Sequence, residues 1–452
     1  MTLLSRLRGA AIATFLDADR VRHTVAATRR RVTGAPPTVH YYHDLADPWS
    51  YLALQAAVRL AELYPITMKF HLVGPPAADV DPAPTLRGKY AIKDAAELAT
   101  HWDVELPTLR DPDPNEIRKA ASILIRDRPD AEQLAIALEL GHALWTNDHK
   151  AVVTAMGKHG VEATGAIAPY LAAAYTKLRE AGFYQAGSFG YDGDWYAGVE
   201  RIGYLEDRLI ADLGVTPKRR ALMPRPASAR PPELLAGVGA RPTIEVWWSF
   251  RSPYSYLALS GLERLQRELP VDLILKPVLP MVTRGLAVPR AKKLYLVRDA
   301  HREAERQGIP FGTLCDPLGP GVDHAMAIAK LAIERGRGLE LLSSIARGVW
   351  AEAKDLTSYV DLRALVERAG VDWDAARGAL ADPGWKVWAA DHAAELNAAG
   401  LWGVPSFRVG EHVAWGQDRL DLLADRLRRH LAALAAAPAA PPPPPPAPAP
   451  AP

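Results

Sequence analysis

The sequence predicts an α/β protein built from two tandem copies of one domain, each interrupted by a helical insert. Three observations support this prediction: a long internal repeat, the same order of strand and helix patterns in both copies, and a proline-rich stretch between them. The chain has 452 residues, which is enough for two or three domains that each bury a core of their own.

The internal repeat keeps a single spacing over most of its length. Val39 opens the run VHYYHDLADPWSYLALQAAVRL, and Ile244 opens the similar run IEVWWSFRSPYSYLALSGLERL. A shift of 205 residues pairs Pro48 with Pro253, Tyr51 with Tyr256, Tyr90 with Tyr295, Asp94 with Asp299 and Trp145 with Trp350. Near the ends the shift is 218, which pairs Ser188 with Ser406 and Gly198 with Gly416. We interpret this pattern as a tandem duplication in which the second copy gained 13 residues.

Composition divides the chain into five segments. They are a basic amphipathic N-terminal helix in residues 1–36, the first domain in 37–213, a Pro-rich linker in 214–242, the second domain in 243–435 and a disordered Pro/Ala tail in 436–452. The N-terminal segment is the basic part of the chain, since it carries seven Arg and two Asp. The linker has six prolines, and the tail is dominated by proline, which favours extended backbone that buries nothing.

Each predicted domain follows the same plan. A short β-rich run leads into a helix, a second strand follows, and a helical region precedes a strand–turn–strand and a closing helix. The predicted strands are Val39–His43 and Ile66–Val73 in the first copy, and Ile244–Trp248 and Val271–Val278 in the second. The predicted closing helix of the second copy is Leu420–Leu434.

Several function classes are excluded or disfavoured. The single cysteine, Cys315, excludes an intrachain disulfide, an all-cysteine zinc site and a C-x-x-C redox pair. A net charge of +2 argues against a nucleic-acid partner, and His142 and His149 do not have a metal-ligand spacing, so we expect no metal. We find no apolar stretch long enough for a membrane span and no secretory signal, and we therefore expect a cytoplasmic protein.

The turn from the first strand of the second copy into its helix is the sharpest chemical feature. Ser252 directly precedes Pro253, which fits the first helical position, so Ser252 is the predicted N-cap. One interpretation is that Ser252 only caps the helix. A hydroxyl at a helix N-terminus can also donate to a bound thiolate, because that end of the helix stabilises negative charge.

Two further motifs lie near the C-terminal end. Val404 and Pro405 stand where a strand should begin, and a proline there is either an ordinary loop residue or a cis residue that leaves a backbone edge for a ligand. Gln417 and Asp418 come just before the closing helix, where they either start the helix or hold an ammonium group.

Together these motifs resemble 2-hydroxychromene-2-carboxylate isomerase and the kappa-class glutathione transferases, which are DsbA-like thioredoxin folds. The resemblance runs from about Thr243 to His430. It implies two tandem DsbA-like thioredoxin-fold domains, each with an inserted helical subdomain. It also implies that Ser252 takes the place of the first cysteine of a C-P-x-C motif, that Val404 before a cis Pro405 binds the backbone of glutathione, and that Gln417 and Asp418 hold its γ-glutamyl end.

By this resemblance the second domain is a glutathione-dependent cis-trans isomerase that acts on a small, conjugated, aromatic-derived electrophile. The enzymatic alternatives are a kappa-like glutathione transferase and a DsbA-family oxidoreductase. The alternative from another class is a non-catalytic thioredoxin-fold binding module. Kappa-like proteins form dimers, so we expect either pairing of the two copies within the chain or a homodimer.

The sequence departs from the family pattern at several positions. In the second copy, Ser249 replaces the usual acidic residue, and Pro289–Ala291 replaces the glutathione-binding asparagine. In the first copy, Asp47 stands at the serine position and Gly187 at the cis-proline position. A carboxylate repels a thiolate, so we interpret the first copy as a degenerate one that is kept for packing or pairing.

Overall fold

The structure is a computed structural model that describes residues 3–108, 110–225 and 241–436. Residues 226–240 of the predicted linker lie outside these ranges, as do residues 437–452 of the predicted tail. Below, the N-terminal half means residues 38–213 and the C-terminal half means residues 243–436.

The two halves share one order of strands and flanking helices, with five α-helices inserted in the N-terminal half and six in the C-terminal half of the described ranges. After α1 (Leu3–Thr33), the N-terminal half consists of β1 (Thr38–His43), α2 (Pro48–Leu63), β2 (Thr67–Leu72), α3 (Pro84–Trp102), α4 (Pro114–Leu124), α5 (Asp130–Trp145), α6 (His149–His159), α7 (Ile167–Glu180), β3 (Ser188–Tyr191), β4 (Asp194–Ala197) and α8 (Ile202–Leu213). The C-terminal half consists of β5 (Thr243–Trp248), α9 (Pro253–Glu268), β6 (Asp272–Pro277), α10 (Arg290–Gln307), α11 (Pro320–Glu334), α12 (Gly338–Ala351), α13 (Tyr359–Arg368), α14 (Trp373–Ala379), α15 (Trp385–Ala398), β7 (Ser406–Val409), β8 (His412–Trp415) and α16 (Leu420–Ala436).

The strands of the described ranges form two four-stranded sheets with one topology. The strand orders are β2-β1-β3-β4 and β6-β5-β7-β8. In each sheet the first two strands are parallel, and the two later strands pair antiparallel with the first strand and with each other. The helices α3 to α7 are inserted before β3, and α10 to α15 before β7. The predicted strands are therefore confirmed, with ends that shift by one residue.

The central strands are buried because helices cover them on both faces. The side chains of Val39 and Tyr41 on β1 and of Val246 and Trp248 on β5 are no more than 1% exposed. Trp247 is also completely buried, so both tryptophans of this run belong to the core. Hydrophobic burial of this extent holds the strand end in place and with it the turn that follows.

Side-chain N-caps are present at the turns after both central strands, at Asp47 and at Ser252 as predicted. Asp47 accepts a hydrogen bond from the N–H of Ser50, and Ser252 accepts one from the N–H of Ser255. In each case a proline occupies the first helical turn, where its missing N–H costs no hydrogen bond.

The long N-terminal helix packs against both halves. Leu16 is 4% exposed, Asp19 lies 3.0 Å from Arg298 of the C-terminal half, and Arg30 donates to Asp212 of the N-terminal half at 2.9 Å. No helix of the described ranges has the length and hydropathy that a membrane span requires.

Two buried arginines cross between the halves in opposite directions. Arg201, just before α8, donates to both carboxylate oxygens of Asp299 on α10, at 2.8 to 2.9 Å. Arg419, just before α16, donates to both oxygens of Asp94 on α3 at 2.7 Å. The arginines are 218 residues apart and the aspartates 205, so each contact has its counterpart at the positions that the repeat aligns.

Two tyrosines repeat the same exchange. The hydroxyl of Tyr90 accepts a hydrogen bond from the N–H of Trp415 at 2.8 Å, and the hydroxyl of Tyr295 accepts one from the N–H of Ala197 at 3.3 Å. The halves therefore meet through equivalent surfaces, in the manner of a two-fold interface within one chain.

Loss of one of these arginines should strongly destabilise the protein. We expect Arg419→Met to lower the free energy of unfolding by about 3–5 kcal/mol, because Asp94 stays buried without its charge partner. Urea denaturation measures this change. The control is Arg426→Met, which removes an exposed pair with Glu97 and should cost less than about 1 kcal/mol. Equal losses in the two variants would contradict the importance of the buried pair.

Candidate functional site

Ser252 lies at the end of the central strand β5 and caps helix α9. Its hydroxyl accepts from the N–H of Ser255 at 3.2 Å and donates to the carbonyl oxygen of Val404 at 3.3 Å. The second contact joins two motifs that are 152 residues apart in the chain. Pro253 has no N–H and Ser255 is already a donor, so the N–H of Tyr254 has no partner within the helix.

The Val404–Pro405 peptide bond is cis, as the family resemblance implied. Strand β7 begins at the next residue, Ser406, which pairs with Trp247 of the central strand. The carbonyl oxygen of Pro405 accepts from the N–H of Gly416 at 2.9 Å, which ties this turn to the segment that carries Gln417 and Asp418.

Gln417 and Asp418 lie in a short 3₁₀ turn, Gln417–Arg419, that precedes α16. Gln417 is 8% exposed, and its amide donates to Glu303 at 3.2 Å and also contacts Asp418. The side chain of Asp418 is 23% exposed, so its carboxylate is the more accessible of the two.

Arg201 of the N-terminal half reaches this turn. Its guanidinium lies 3.2 Å from Asp418, 3.2 Å from Glu303 and 2.8 Å from Asp299. Burial raises the pKa of Glu303, although Arg201 opposes that shift. Arg302 is a second cation nearby, 3.9 Å from Asp299. The cluster thus has more carboxylates than guanidinium groups.

Ser252, Asp418 and Arg201 belong to the lining of one cavity of about 870 Å³ between the two halves. From the C-terminal half it is lined by the predicted site residues Ser252, Val404, Pro405, Gln417 and Asp418, together with Ser249. From the N-terminal half it is lined by Asp47, Trp49, Arg87, Gly187 and Arg201. Its volume is in the range of small-molecule sites.

Another part of the cavity lining is largely apolar. It includes Met281, Leu314, Leu318 and Trp350 from the insert of the C-terminal half and Phe15 from α1. The structure therefore brings all five predicted site residues to one cavity and places an apolar surface beside them. Cys315 is 2% exposed and, as the only cysteine, offers no second thiol for a disulfide.

In the corresponding turn of the N-terminal half, the carboxylate of Asp47 is paired with groups of the same half. Asp47 accepts from the N–H and the hydroxyl of Ser50, each at 2.9 Å, and its other oxygen accepts from Arg87 at 2.8 Å. Gly187, with φ of +65°, takes the place of a cis-proline, and its Cα faces Ser50 closely enough that a Cβ would lie 3.4 Å from the Ser50 hydroxyl.

The sequence reasoning missed Arg201, which lines the cavity, and Glu303, which is a buried partner of Gln417 and Arg201. A signal for Arg201 was available, because it aligns with Arg419 at the 218-residue shift and both arginines follow the strand pair. That signal does not say that the side chain crosses to the other half, since the crossing depends on how the halves pack. In the part of the chain that the structure describes, no group of three or more His, Cys, Asp or Glu side chains is placed to hold a metal ion.

Residues 243–428 match the family model for the DSBA-like thioredoxin domain. The C-terminal half contains a DsbA-like thioredoxin domain. A curated relative, the 2-hydroxychromene-2-carboxylate isomerase of Sphingobium xenophagum, is 24% identical over 193 residues, which are 41% of this chain and 97% of the relative.

Two solved structures are also similar to part of the chain. One is 2-hydroxychromene-2-carboxylate isomerase, with 20% identity, coverage of 42% of this chain and 95% of that chain, and a TM-score of 0.37. The other is the cytosolic disulfide reductase DsbM from Pseudomonas aeruginosa with GSH, with 20% identity, coverage of 42% and 96%, and a TM-score of 0.34.

Asp44, close to the N-terminal turn, gives this half a testable pH dependence. Burial, and next the charge of Asp47, raise the pKa of Asp44 to about 7. The Asp44 carboxyl therefore keeps its proton up to about pH 7 in the folded state, whereas it loses the proton near pH 4 in the unfolded state. Stability should fall as pH rises from about 4 to about 7. Asp44→Asn should flatten this part of a plot of Tm against pH. The prediction is wrong if the variant keeps the slope of the wild-type protein.

Proposed function

We propose that the C-terminal half is the active domain of a glutathione-dependent isomerase or transferase that acts on a conjugated, aromatic-derived electrophile. The observation that carries this proposal is the meeting of three separately recognised motifs, at Ser252, Val404–Pro405 and Gln417–Asp418, in one cavity beside an apolar wall. The similarity to a curated isomerase supports the same reaction class.

The residues present fit the two ends of glutathione. At one end, Asp418, Glu303 and Asp299 outnumber Arg201 and the more distant Arg302, so the cluster suits the ammonium group of a γ-glutamyl residue. At the other end, the thiol would lie beside a hydroxyl and a helix N-terminus. The backbone of Val404 lies between these ends and would hold the peptide part.

Ser252 would act by stabilising charge. Its hydroxyl donates to Val404 in the structure and would turn that hydrogen to a thiolate, while its oxygen keeps the hydrogen bond from Ser255. The helix dipole and the N–H of Tyr254 favour the same negative charge. Ser252 therefore binds the anion and forms no covalent bond.

Bound glutathione would supply a thiolate that adds to a conjugated carbon–carbon double bond, permits rotation and leaves again, or stays attached to the electrophile in a transferase. Met281, Leu314 and Trp350 would hold the apolar body of the electrophile and exclude water from the cavity.

We further propose that the N-terminal half arose by duplication and takes the place of a dimer partner. The support is the reciprocal exchange of Arg201 and Arg419 at positions aligned by the repeat. In this proposal the N-terminal half contributes Arg201 to the glutathione site, while its own turn is closed by the pair of Asp47 and Arg87.

Ser252→Ala tests the central role of the hydroxyl. We expect glutathione-dependent turnover to fall about 100-fold, in line with the loss of one positioned donor to a catalytic anion. Steady-state kinetics with a conjugated electrophile measure the change.

The matched control for this experiment is Ser358→Ala. Ser358 caps α13 by accepting from the N–H of Asp361, away from the cavity, so its loss has the same cost to a helix and should leave turnover unchanged. Undiminished turnover in Ser252→Ala would refute the proposed mechanism.

Arg201→Gln tests the contribution of the N-terminal half. We expect the Kd for glutathione to rise about 10-fold or more, because Asp418 loses the guanidinium that orients it. Arg208→Gln is the matched control, since it breaks a largely buried pair with Asp212 in the same half, away from the cavity, and should lower Tm without changing Kd. Equal changes in Kd for both variants would argue for a merely structural role of Arg201.

A non-catalytic binding module is the alternative. It is favoured by one observation, that Asp418 is already paired with Arg201. Calorimetric titration separates the two proposals, because the enzyme should release or absorb heat on binding glutathione and gain thermal stability. The absence of both effects at millimolar glutathione would favour the binding module.

A further inference from the structure

The two halves provide an internal comparison at the turn after the central strand. Three aligned positions, each pair 205 residues apart, are Asp44 and Ser249, Asp47 and Ser252, and Arg87 and Lys292. Both carboxylates of the N-terminal half are thus hydroxyls in the C-terminal half, whereas the cation is kept.

In the N-terminal half the cation and the carboxylate satisfy each other. Arg87, in the first turn of α3, donates to Asp47 at 2.8 Å. Its guanidinium also lies over the ring of Trp49, 5.2 Å from the ring centre. In the N-terminal half, the carboxylate of Asp47 therefore occupies the place next to Arg87 that a bound anion could take.

In the C-terminal half the same cation has no such partner. Lys292, in the first turn of α10, lines the cavity and donates to the carbonyl oxygen of Val80 at 2.8 Å. Among the described residues, no carboxylate lies within 4.0 Å of its ammonium group. Burial lowers the pKa of Lys292, which agrees with a cation that lacks a close anion.

An orphaned hydroxyl lies in the same cavity. Ser249 is 2% exposed, and its hydroxyl has no hydrogen-bond partner within the described ranges. Its backbone carbonyl accepts from the N–H of Ser252 at 3.1 Å, so the two serines belong to one turn. A buried hydroxyl without a partner is costly unless a ligand satisfies it.

We propose that Lys292 and Ser249 complete an anion-binding recess around Ser252, in which Lys292 is the counter-ion of the bound thiolate. This inference rests on the proposed function, because that function places the thiolate at Ser252. It assigns Lys292 a charge-positioning role, since an ammonium group favours the ionised form of a nearby thiol.

Other charged groups face this recess from several elements. Asp79 and Asp81, in the segment before α3, and Arg87 on α3 act on Lys292 from the N-terminal half. On the other side of Ser252, Arg251 forms a bidentate pair with Asp316 at 2.7 and 2.9 Å. Arg87, Arg251, Asp316 and Asp418 also line the cavity.

The first experiment requires no ligand. Ser252→Asp restores in the C-terminal half the carboxylate that Arg87 binds in the other half, and we expect Lys292 to pair with it. Lys292→Met should then lower Tm more in the Ser252→Asp protein than in the wild-type protein. Additive changes would overturn the assignment. Asp47→Ala and Arg87→Met form the reference cycle, in which the contact is known.

The second experiment measures the thiol pKa of bound glutathione from the ultraviolet absorbance of the thiolate. We expect Lys292→Met to raise this pKa by about 1. Lys292→Arg should keep most of the wild-type value because it retains the charge. Lys89→Met, which removes an exposed charge of α3 outside the cavity, should leave the pKa unchanged.

The outcomes separate the inference from the proposed function. One outcome is that the wild-type protein binds glutathione with a lowered thiol pKa and that Lys292→Met has the same thiol pKa. This outcome overturns the role of Lys292 and leaves the proposed function standing. Wild-type protein that binds no glutathione overturns both the proposed function and the thiolate role of Lys292, whatever the ligand-free cycle gives.

Discussion

The exchange of two buried arginines between the halves is the interaction on which the rest of the structure depends. The side chains of Arg201 and Arg419 each donate hydrogen bonds to an aspartate on an inserted helix of the other half. Separating the halves would leave buried carboxylates without partners, which is strongly unfavourable. Since one wall of the cavity comes from each half, the same exchange that holds the halves together also forms the site.

The similar backbone of the two halves makes their chemical difference informative. Both begin a helix at a capped proline turn, and both carry a cation on the first turn of the next helix. In one half an aspartate neutralises that cation, and in the other a serine leaves it without a close carboxylate. The scaffold is thus common, and the capacity to accept an anion differs because of a few side chains.

Predictions from the sequence succeeded where the signal is local. The N-cap at Ser252 and the strands around it depend on residues within a few positions, and the structure has them as expected. The local motif left the bond before Pro405 open, and the cis form that the resemblance implied is present. Arg201 was missed because its partner Asp418 is 217 residues away and no local pattern specifies that contact. The burial of Gln417 against Glu303 was missed for the same reason.

The sequence by itself determined the two-part plan, the order of strands and helices and the identity of the cavity's serine, because periodicity, capping and turn chemistry act over short distances. Only the tertiary structure decided that both halves face one cavity and that Arg201 supports Asp418 across it. It also showed that Lys292 lacks the carboxylate that Arg87 has. The physical reason is that charge compensation depends on distances in space, which packing of the halves sets and sequence spacing does not.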